Sequence, residues 1–335
     1  MEDVSADRVR LSYPEAQALA EQALARIGYD AEEARIIADH VVDAALCGYE
    51  YSGLPKILNV AEHRQLRRPR RPMRALRETP ISVLFDGGNN NGMVAVYRAT
   101  EAAIEKARQH GFAAVGVNNS WMSGRSAHFV ERIARAGFVG IHSVSSRIHV
   151  AAPGSKGPAT GTNPIAFGFP TGGDPLIVDI GTAAFMGTDL IFQERRGATL
   201  PEGVALDANG QPTRDPAQVH SLLPFGGYKG FGLALAMQAF GVLAGSGLGD
   251  DKVYGYLVMA VAPDLMLSLD DFRRHMSEML AKIKATPRQP GVDEIRLPGE
   301  RAFRERERSK REGIEIDRKI YDALLALPQG RLLES

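Results

Sequence analysis

A chain of 335 residues is longer than one typical domain and suits an enzyme with two lobes. Hydrophobic residues make up 44% and charged residues 24%, and 40 basic side chains balance 40 acidic ones, so no global field draws the chain to nucleic acid or to an acidic membrane. The single cysteine, Cys47, excludes an internal disulfide framework and a multi-cysteine metal site.

The opening segment MEDVSADRVRLS is charged and has no apolar core, and no apolar run approaches membrane-spanning length, so a cytoplasmic protein is expected. From Tyr13 to Cys47 the apolar residues fall at helical spacing. Ser12 reads as the cap of a first helix with Pro14 near its first turn. Asp30 reads as the cap of a second, and Gly48 as its stop; a helical hairpin is predicted. The basic run HRQLRRPRRPMR, His63 to Arg74, is interrupted by prolines and lacks interleaved aromatics, which reads as a solvated loop.

The middle of the chain alternates. ISVLFDGG reads as a strand and turn, MVAVYRATEAAIEKARQHG as a helix ending at Gly111, and FAAVGVNNS as a short buried strand. AHFVERIARAG follows as a helix and FVGIHSVSS as another strand, a rhythm that predicts an α/β layer structure. From Ala152 to about Gly230 the chain is rich in Gly, Pro, Asn, Asp and Thr, and so long a loop-heavy stretch inside a compact domain is usually functional. FGLALAMQAFGVLAG then reads as a strongly apolar helix, YGYLVMAVAP as a buried strand and LDDFRRHMSEMLAKIKA as an amphipathic helix. GIEIDRKIYDALLALPQG reads as a last helix capped by Asp317.

Several common sites are missing. No G-x-G-x-x-G joins a strand to a helix; GSGLGDD has glycines but follows a helix. There is no P-loop, H-E-x-x-H or G-x-S-x-G. His142 and His149, the nearest histidine pair, point to opposite faces of a strand-like segment, so no metal is expected. The loop-heavy stretch carries polar candidates instead. Asn163 is fixed by the following Pro164. A strand ends in Asp179, ahead of Gly181 and Thr182. LLPFGGYKGFGLALAM sets Lys229 at a glycine-rich start of a helix, where backbone, ammonium and helix N-terminus can meet a phosphate.

The pieces GTNPIAFGFP, IVDIGTA, LPEGVALDANGQPTRDP, LLPFGGYKGFGLAL and IRLPGERAFRERERSKREGIEI lie in order over nearly the whole chain. Together they resemble the malate/L-lactate dehydrogenase family of the non-Rossmann type, whose members include ureidoglycolate dehydrogenase, sulfolactate dehydrogenase, 2,3-diketo-L-gulonate reductase and piperideine-2-carboxylate reductase. The resemblance implies an α/β fold with its own NAD(P)-binding topology, bound NADH or NADPH, a homodimer, and hydride transfer next to a substrate carboxylate. It implies a helical lobe formed by residues 1–75 and 300–335 and an α/β NAD(P)-binding domain over 76–299. Cofactor contacts are expected at Pro175, Leu176, Ile177, Val178, Asp179, Ile180 and Gly181, at Tyr228 and Lys229, and at Gly299, Glu300 and Arg301, with Asn163 and Thr182 close by.

The stretch CGYEYSGLPKIL departs from that family. There the turn typically reads Gly-x-x-Ser-His-Gly, with the histidine as proton donor and an arginine three residues on to hold the carboxylate. Here Gly48 and Gly53 keep the frame, but Tyr51 stands for the serine, Ser52 for the histidine and Lys56 for the arginine. A second family histidine, after an Asn-Ser pair, is replaced by Met122, beside Trp121. Tyr51 and Ser52 are then the catalytic candidates, with Lys56 expected to pair with the carboxylate and to lower the Tyr51 pKa. Trp121 and Met122 are expected to make an apolar pocket wall. Reduction of a carbonyl leaves an alkoxide that needs a proton, whereas an iminium arrives protonated, so the loss of both histidines fits a C=N substrate or one with its own acid. The expectation is an NAD(P)H-dependent reductase of a 2-imino or 2-oxo acid; the alternative is a catalytically silent relative kept as a binding or structural protein.

Overall fold

Capping fixes the first helices. In α1 (Tyr13–Arg26) the Ser12 hydroxyl accepts the Glu15 N–H while Glu15 accepts the Ser12 N–H, a closed capping box. In α2 (Ala31–Leu46) the Asp30 carboxylate accepts the Glu33 N–H. The two helices pack together as the predicted hairpin. The structure, a computed structural model, describes residues 7–247 and 254–328. Part of the GSGLGDD stretch and the last two residues of the predicted final helix segment lie outside them.

After a 3-10 turn (Glu50–Ser52) and the short α3 (Lys56–Glu62) comes the basic run, largely solvent-exposed as expected but anchored at two points. His63 stacks on Trp121 with ring centres 4.4 Å apart. Arg70 pairs with Glu33 at 2.6 Å and lies over the Tyr29 ring. His63 and Arg70 thus tie the run to the end of a strand and to the helical hairpin, while Arg64, Arg67, Arg68 and Arg71 are exposed as a solvated run would be.

The predicted alternation then appears: β2 (Arg74–Thr79), β3 (Ser82–Asn91), α4 (Gly92–His110), β4 (Phe112–Trp121), α5 (Ser126–Arg135) and β5 (Val139–Ser145). Helix α4 stops at Gly111, whose φ of +77° suits glycine. The stretch read as loop-heavy holds more regular structure than expected. Beyond β6 (Val150–Ala151) it contains β7 (Pro158–Thr160), β8 (Ile165–Phe169), β9 (Leu176–Ile180), α6 (Gly187–Arg196), β10 (Ala205–Leu206) and β11 (Ser221–Leu222). After α7 (Tyr228–Leu243) come β12 (Gly255–Val261), α8 (Leu269–Lys284), α9 (Glu300–Glu312), β13 (Ile314–Asp317) and α10 (Arg318–Leu325). Asp317 caps α10 as expected, accepting the Lys319 N–H, but the residues before it are a strand.

Seven strands form the main sheet in the order β2-β3-β4-β12-β5-β8-β9, with only β3 and β4 parallel. A small sheet runs β10-β11-β6-β7. A third joins the chain's two ends: β13 pairs antiparallel with a strand before α1, β1 (Arg8–Leu11), in the register Arg8 to Asp317. One core lies among α1, α2, α3, α10 and these two terminal strands, with Met93, Val94 and Trp121 reaching into it. A second lies under the main sheet and includes Val115, Phe129 and Tyr256. Helix α7 crosses this sheet closely: a Cβ on Gly241 would stand 2.0 Å from the Ser145 hydroxyl. Among the described residues no helix is long and apolar enough to cross a membrane.

Candidate active site

The turn after α2 is shaped by its two glycines for different reasons. Gly48 has a φ of +76°, which favours glycine. A Cβ on Gly53 would stand 2.9 Å from that of Ala45, so the chain folds back onto α2. Three groups hold the turn. Glu50 pairs with Arg8 at 3.0 Å and accepts the Asp317 N–H at 3.4 Å. The Tyr49 ring has the Arg125 guanidinium 5.0 Å away and that of Arg301 4.5 Å away. Arg301 also donates to the Cys47 carbonyl at 3.4 Å. The frame is therefore rigid where the family motif has changed its side chains.

Lys56, the first residue of α3, is 5% exposed. Its Nζ donates to Thr188 Oγ1 at 3.0 Å, across 132 residues of sequence. No carboxylate among the described residues forms an ion pair with it, and burial lowers its pKa to about 8. A buried ammonium with one neutral partner is an incomplete arrangement that an anion completes. Tyr51 lies within the influence of three acidic groups. Burial, then the charges of Asp189, Asp179 and Tyr49, push its hydroxyl up to about 12, with Arg125 opposing. Lys56 does not lower it, contrary to expectation. At neutral pH Tyr51 keeps its proton and serves as a hydrogen-bond donor, not as a ready acid. Ser52 is buried.

Behind the turn stands a buried charge network that the sequence did not announce. Asp43 on α2 lies 3.1 Å from Arg125, 2.8 Å from Arg306 and 3.6 Å from His128. Burial opposes its ionisation, but His128, Arg125 and Arg306 hold its carboxyl well below the usual range. Arg306 also grips Glu131 with two parallel bonds of 2.7 Å. His40 is buried and its Nε2 accepts the Arg125 N–H at 2.8 Å. Burial, His128 and Arg125 push its pKa well down, so it stays neutral with its proton on Nδ1. Neither member of this histidine pair is an evident replacement for the missing family acids.

The expected apolar wall divides. Trp121 is 1% exposed, stacked on His63, and its Nε1–H donates to the Asn89 carbonyl at 3.1 Å; it belongs to the core. Met122 is half-buried with a φ of +56°, uncommon for a residue with a Cβ. Together with Gly124 it swings the chain from β4 into α5, which delivers Arg125 to His40 and Asp43.

The cofactor candidates form a continuous line. A Cβ on Gly299 would stand 3.2 Å from the Ile177 carbonyl, so the start of α9 packs against β9. Pro175, Leu176, Leu297, Pro298, Glu300 and Phe303 line a cavity of about 340 Å³ there. Further along, the Phe225 N–H donates to the Thr182 carbonyl at 3.1 Å, which brings the start of α7 to the end of β9. At that start Gly226 and Gly227 have positive φ, nothing lies within 4 Å of a Cβ on Gly227, and Tyr228 and Lys229 are exposed. A slot of mixed apolar and charged lining at one end and an open helix N-terminus with a lysine at the other suit a dinucleotide. Val178, Ile180 and Gly181 lie between them along β9 and its end.

Four candidates in this set are committed elsewhere. Asp179 accepts the Ala127 N–H at 2.7 Å and so caps α5 from a distance. Asn163 spends its amide on the Ser146 N–H, the Ala234 carbonyl and Gln238. The Thr182 hydroxyl donates to the Thr162 carbonyl. Arg301 reaches the opening turn instead of the slot. These residues shape the site through the backbone they hold.

A family model described as malate/L-lactate dehydrogenase matches residues 11–325. The chain belongs to that family. Among curated members of the malate/L-lactate dehydrogenase family it is 31% identical to the L-sulfolactate dehydrogenase of Methanothermobacter thermautotrophicus, over 95% of this chain and 96% of that one. It is 33% identical to the ureidoglycolate dehydrogenase (NAD(+)) of Escherichia coli, over 92% and 93%. Among solved structures, malate dehydrogenase from Pyrococcus horikoshii superposes with a TM-score of 0.88 at 26% identity, covering 98% and 97% of the two chains. A Δ1-piperideine-2-carboxylate reductase from Pseudomonas syringae superposes with a TM-score of 0.81 at 27% identity, over 95% and 99%. Like these family members, the protein is an oxidoreductase. Sequence reasoning missed Thr188, Asp189 and Arg125 because each reaches the site from an element whose neighbours only the fold reveals; Tyr49 stands in the turn itself and its arginine contacts were what the sequence could not show.

Proposed function

We propose that the protein is an NAD(P)H-dependent reductase of a 2-imino or 2-oxo acid, with the C=N bond favoured. The observation that carries this reading is Lys56: a buried ammonium without a carboxylate partner among the described residues, on the turn where the family pattern holds its substrate. In the proposed two-lobe division, residues 1–75 with 300–335 supply that turn and residues 76–299 supply most of the cofactor line. The bound nicotinamide would contribute one hydride. Added to an iminium carbon, it gives a neutral amine and the oxidised cofactor, and no acid is needed. Added to a carbonyl carbon, it leaves an alkoxide that must be protonated. Tyr51, held protonated with a pKa near 12, can steady such an oxygen but surrenders its proton reluctantly.

The active form is proposed to be a homodimer. Helix α7 is apolar on all sides, yet it buries only Gly230, Ala234, Met237 and Gly241, leaving Leu235, Val242 and Leu243 exposed at 48%, 56% and 70%. A second copy is the natural cover for such a face. The test of function is cofactor oxidation with cyclic imino acids, 2-oxo acids, and 2-oxo acids plus amine, alongside fluorescence titration of NADH and NADPH. Cofactor binding with turnover of a carboxylate-bearing C=N substrate is expected; no cofactor binding at all would overturn the reading.

A further inference from the structure

Charge in the slot at the start of α9 is already balanced. The substrate turn lies at the far end of β9 from this slot. Lys56 bonds Thr188 at the start of α6, and a Cβ on Gly181 would stand 2.6 Å from the Met186 sulfur, so that start sits at the C-terminal end of β9. The slot lies at the other end, beside Pro175 and Leu176, roughly 16 Å away along the extended strand. A cofactor whose nicotinamide meets a substrate at Lys56 therefore carries its adenosine end toward the slot. Leu280, Leu297 and Phe303 there suit an adenine face.

Two acids, Asp174 and Glu300, and one cation, Arg304, are among the described residues that line the slot. Arg304 is committed: it grips Glu294 with two bonds of 2.5 and 2.7 Å and reaches Glu300 at 3.5 Å. Glu300 also accepts the Leu297 N–H at 3.1 Å and pairs with Lys284, while Asp174 pairs with Arg135 at 3.1 Å. A 2′-phosphate brings a charge of about −1.5 to −2. It would face Asp174 and Glu300, and it would have to take Arg304 from Glu294 and leave that carboxylate bare. These pairs are partly exposed, so the penalty is modest, but it acts against one cofactor only. A free 2′-hydroxyl instead donates to a carboxylate, the chemistry by which dinucleotide sites choose the unphosphorylated ribose.

We propose that this slot takes the adenosine end of NADH and discriminates against NADPH, with Glu294 as the positioning residue that keeps Arg304 from a 2′-phosphate. The inference rests on the cofactor line of the reductase reading above.

The experiment is fluorescence titration of the full-length wild type, Glu294→Gln and Glu294→Lys with NADH and with NADPH, read as the ratio of the NADPH Kd to the NADH Kd. In the wild type that ratio should be about ten or more. Glu294→Gln releases Arg304 and should lower it roughly three- to fivefold, the size of one solvent-exposed charge contact. Glu294→Lys changes the local charge by two and should bring the ratio to about one or below. A fault in folding would weaken both cofactors alike and leave the ratio where it was, and thermal melting of each variant reports such a fault directly. The wild type alone supplies a second measurement: 5′-AMP should displace NADH at a lower concentration than adenosine 2′,5′-bisphosphate does. A wild-type ratio of one or below, stronger displacement by the bisphosphate, or a ratio that neither substitution lowers in a folded variant overturns the role of the slot while leaving the reductase reading intact. Wild-type protein that binds neither cofactor overturns the reductase reading itself.

Discussion

Lys56 and Thr188, 132 residues apart, meet at 3.0 Å, and this bond to a hydroxyl is the only hydrogen bond that the buried ammonium makes among the described residues. The contact joins the turn after α2 to the start of α6. It leaves two N–H groups of the ammonium open to an anion.

Replacing Lys56 by methionine should therefore raise the KM of any carboxylate substrate steeply, by roughly 10- to 100-fold, while leaving the cofactor affinity within about twofold. Steady-state kinetics with a parallel cofactor titration separates the two effects. A parallel rise in the cofactor dissociation constant would place Lys56 in a structural role.

The pH profile follows from the same group. Carboxylate binding needs the ammonium form, and burial has lowered its pKa to about 8. In the free enzyme kcat/KM should be level below that value and fall about tenfold per pH unit above it. Lys56→Arg should move the fall beyond pH 10, because a guanidinium stays charged there.

Stability should run the other way. The unfolded lysine has the higher pKa, so between about 8 and 10.5 the unfolded state binds more protons. The cost of burying the charge is fully present below pH 8 and is relieved as pH rises through that window. Lys56→Met removes it at neutral pH, a gain of up to roughly 3 kcal/mol less the lost Thr188 bond. A rise in Tm together with lost activity is the expected pairing.

Asp43 balances Arg125 and Arg306, so Asp43→Ala should cost about 3–5 kcal/mol, read as a shift of the urea midpoint. Its folded pKa lies below the unfolded one. Its contribution is thus present above the unfolded value and is lost as pH falls toward the folded one. Asp43→Asn should flatten that part of the acid unfolding curve.

At the cofactor line, Lys229→Ala should weaken NADH or NADPH binding by about 1.5–3 kcal/mol, the range for a hydrogen bond to a charged group. Calorimetry on the purified protein measures it. Unchanged affinity would move the phosphate site away from the start of α7.

Much of this was legible because local signals agreed with tertiary ones. Ser12, Asp30, Gly111 and Asp317 punctuate their helices as their types require. The strand residues Ile314 to Asp317 were read as helix because a four-residue strand has too little length to show alternation, and its partner lies at the far end of the chain. Strand β8 hid among glycines and prolines, whereas the strand ending at Asp179 was visible and is β9. Within the site, the glycine frame and Lys56 were visible as sequence, and the Tyr51 environment was not. Its upward pKa shift comes first from burial and then from Asp189 and Asp179, which arrive from α6 and β9. Trp121 looked like a pocket wall by position, but its ring stacks on His63, a contact no spacing rule announces.

The pairing of Arg8 with Asp317 sets the timetable for making the enzyme. As the chain leaves the ribosome, the helical hairpin emerges early, but the strand that completes its sheet, and the Arg301 and Arg306 side chains that steady its turn and its buried acid, emerge last. Until then Asp43 and Glu131 lack the Arg306 guanidinium they share and the apolar faces of α1 and α2 lack their cover. The nascent protein must carry this unfinished lobe through most of its synthesis, a long exposure that favours capture by chaperones and penalises truncation near the C-terminus more than loss of an equal length from a surface loop.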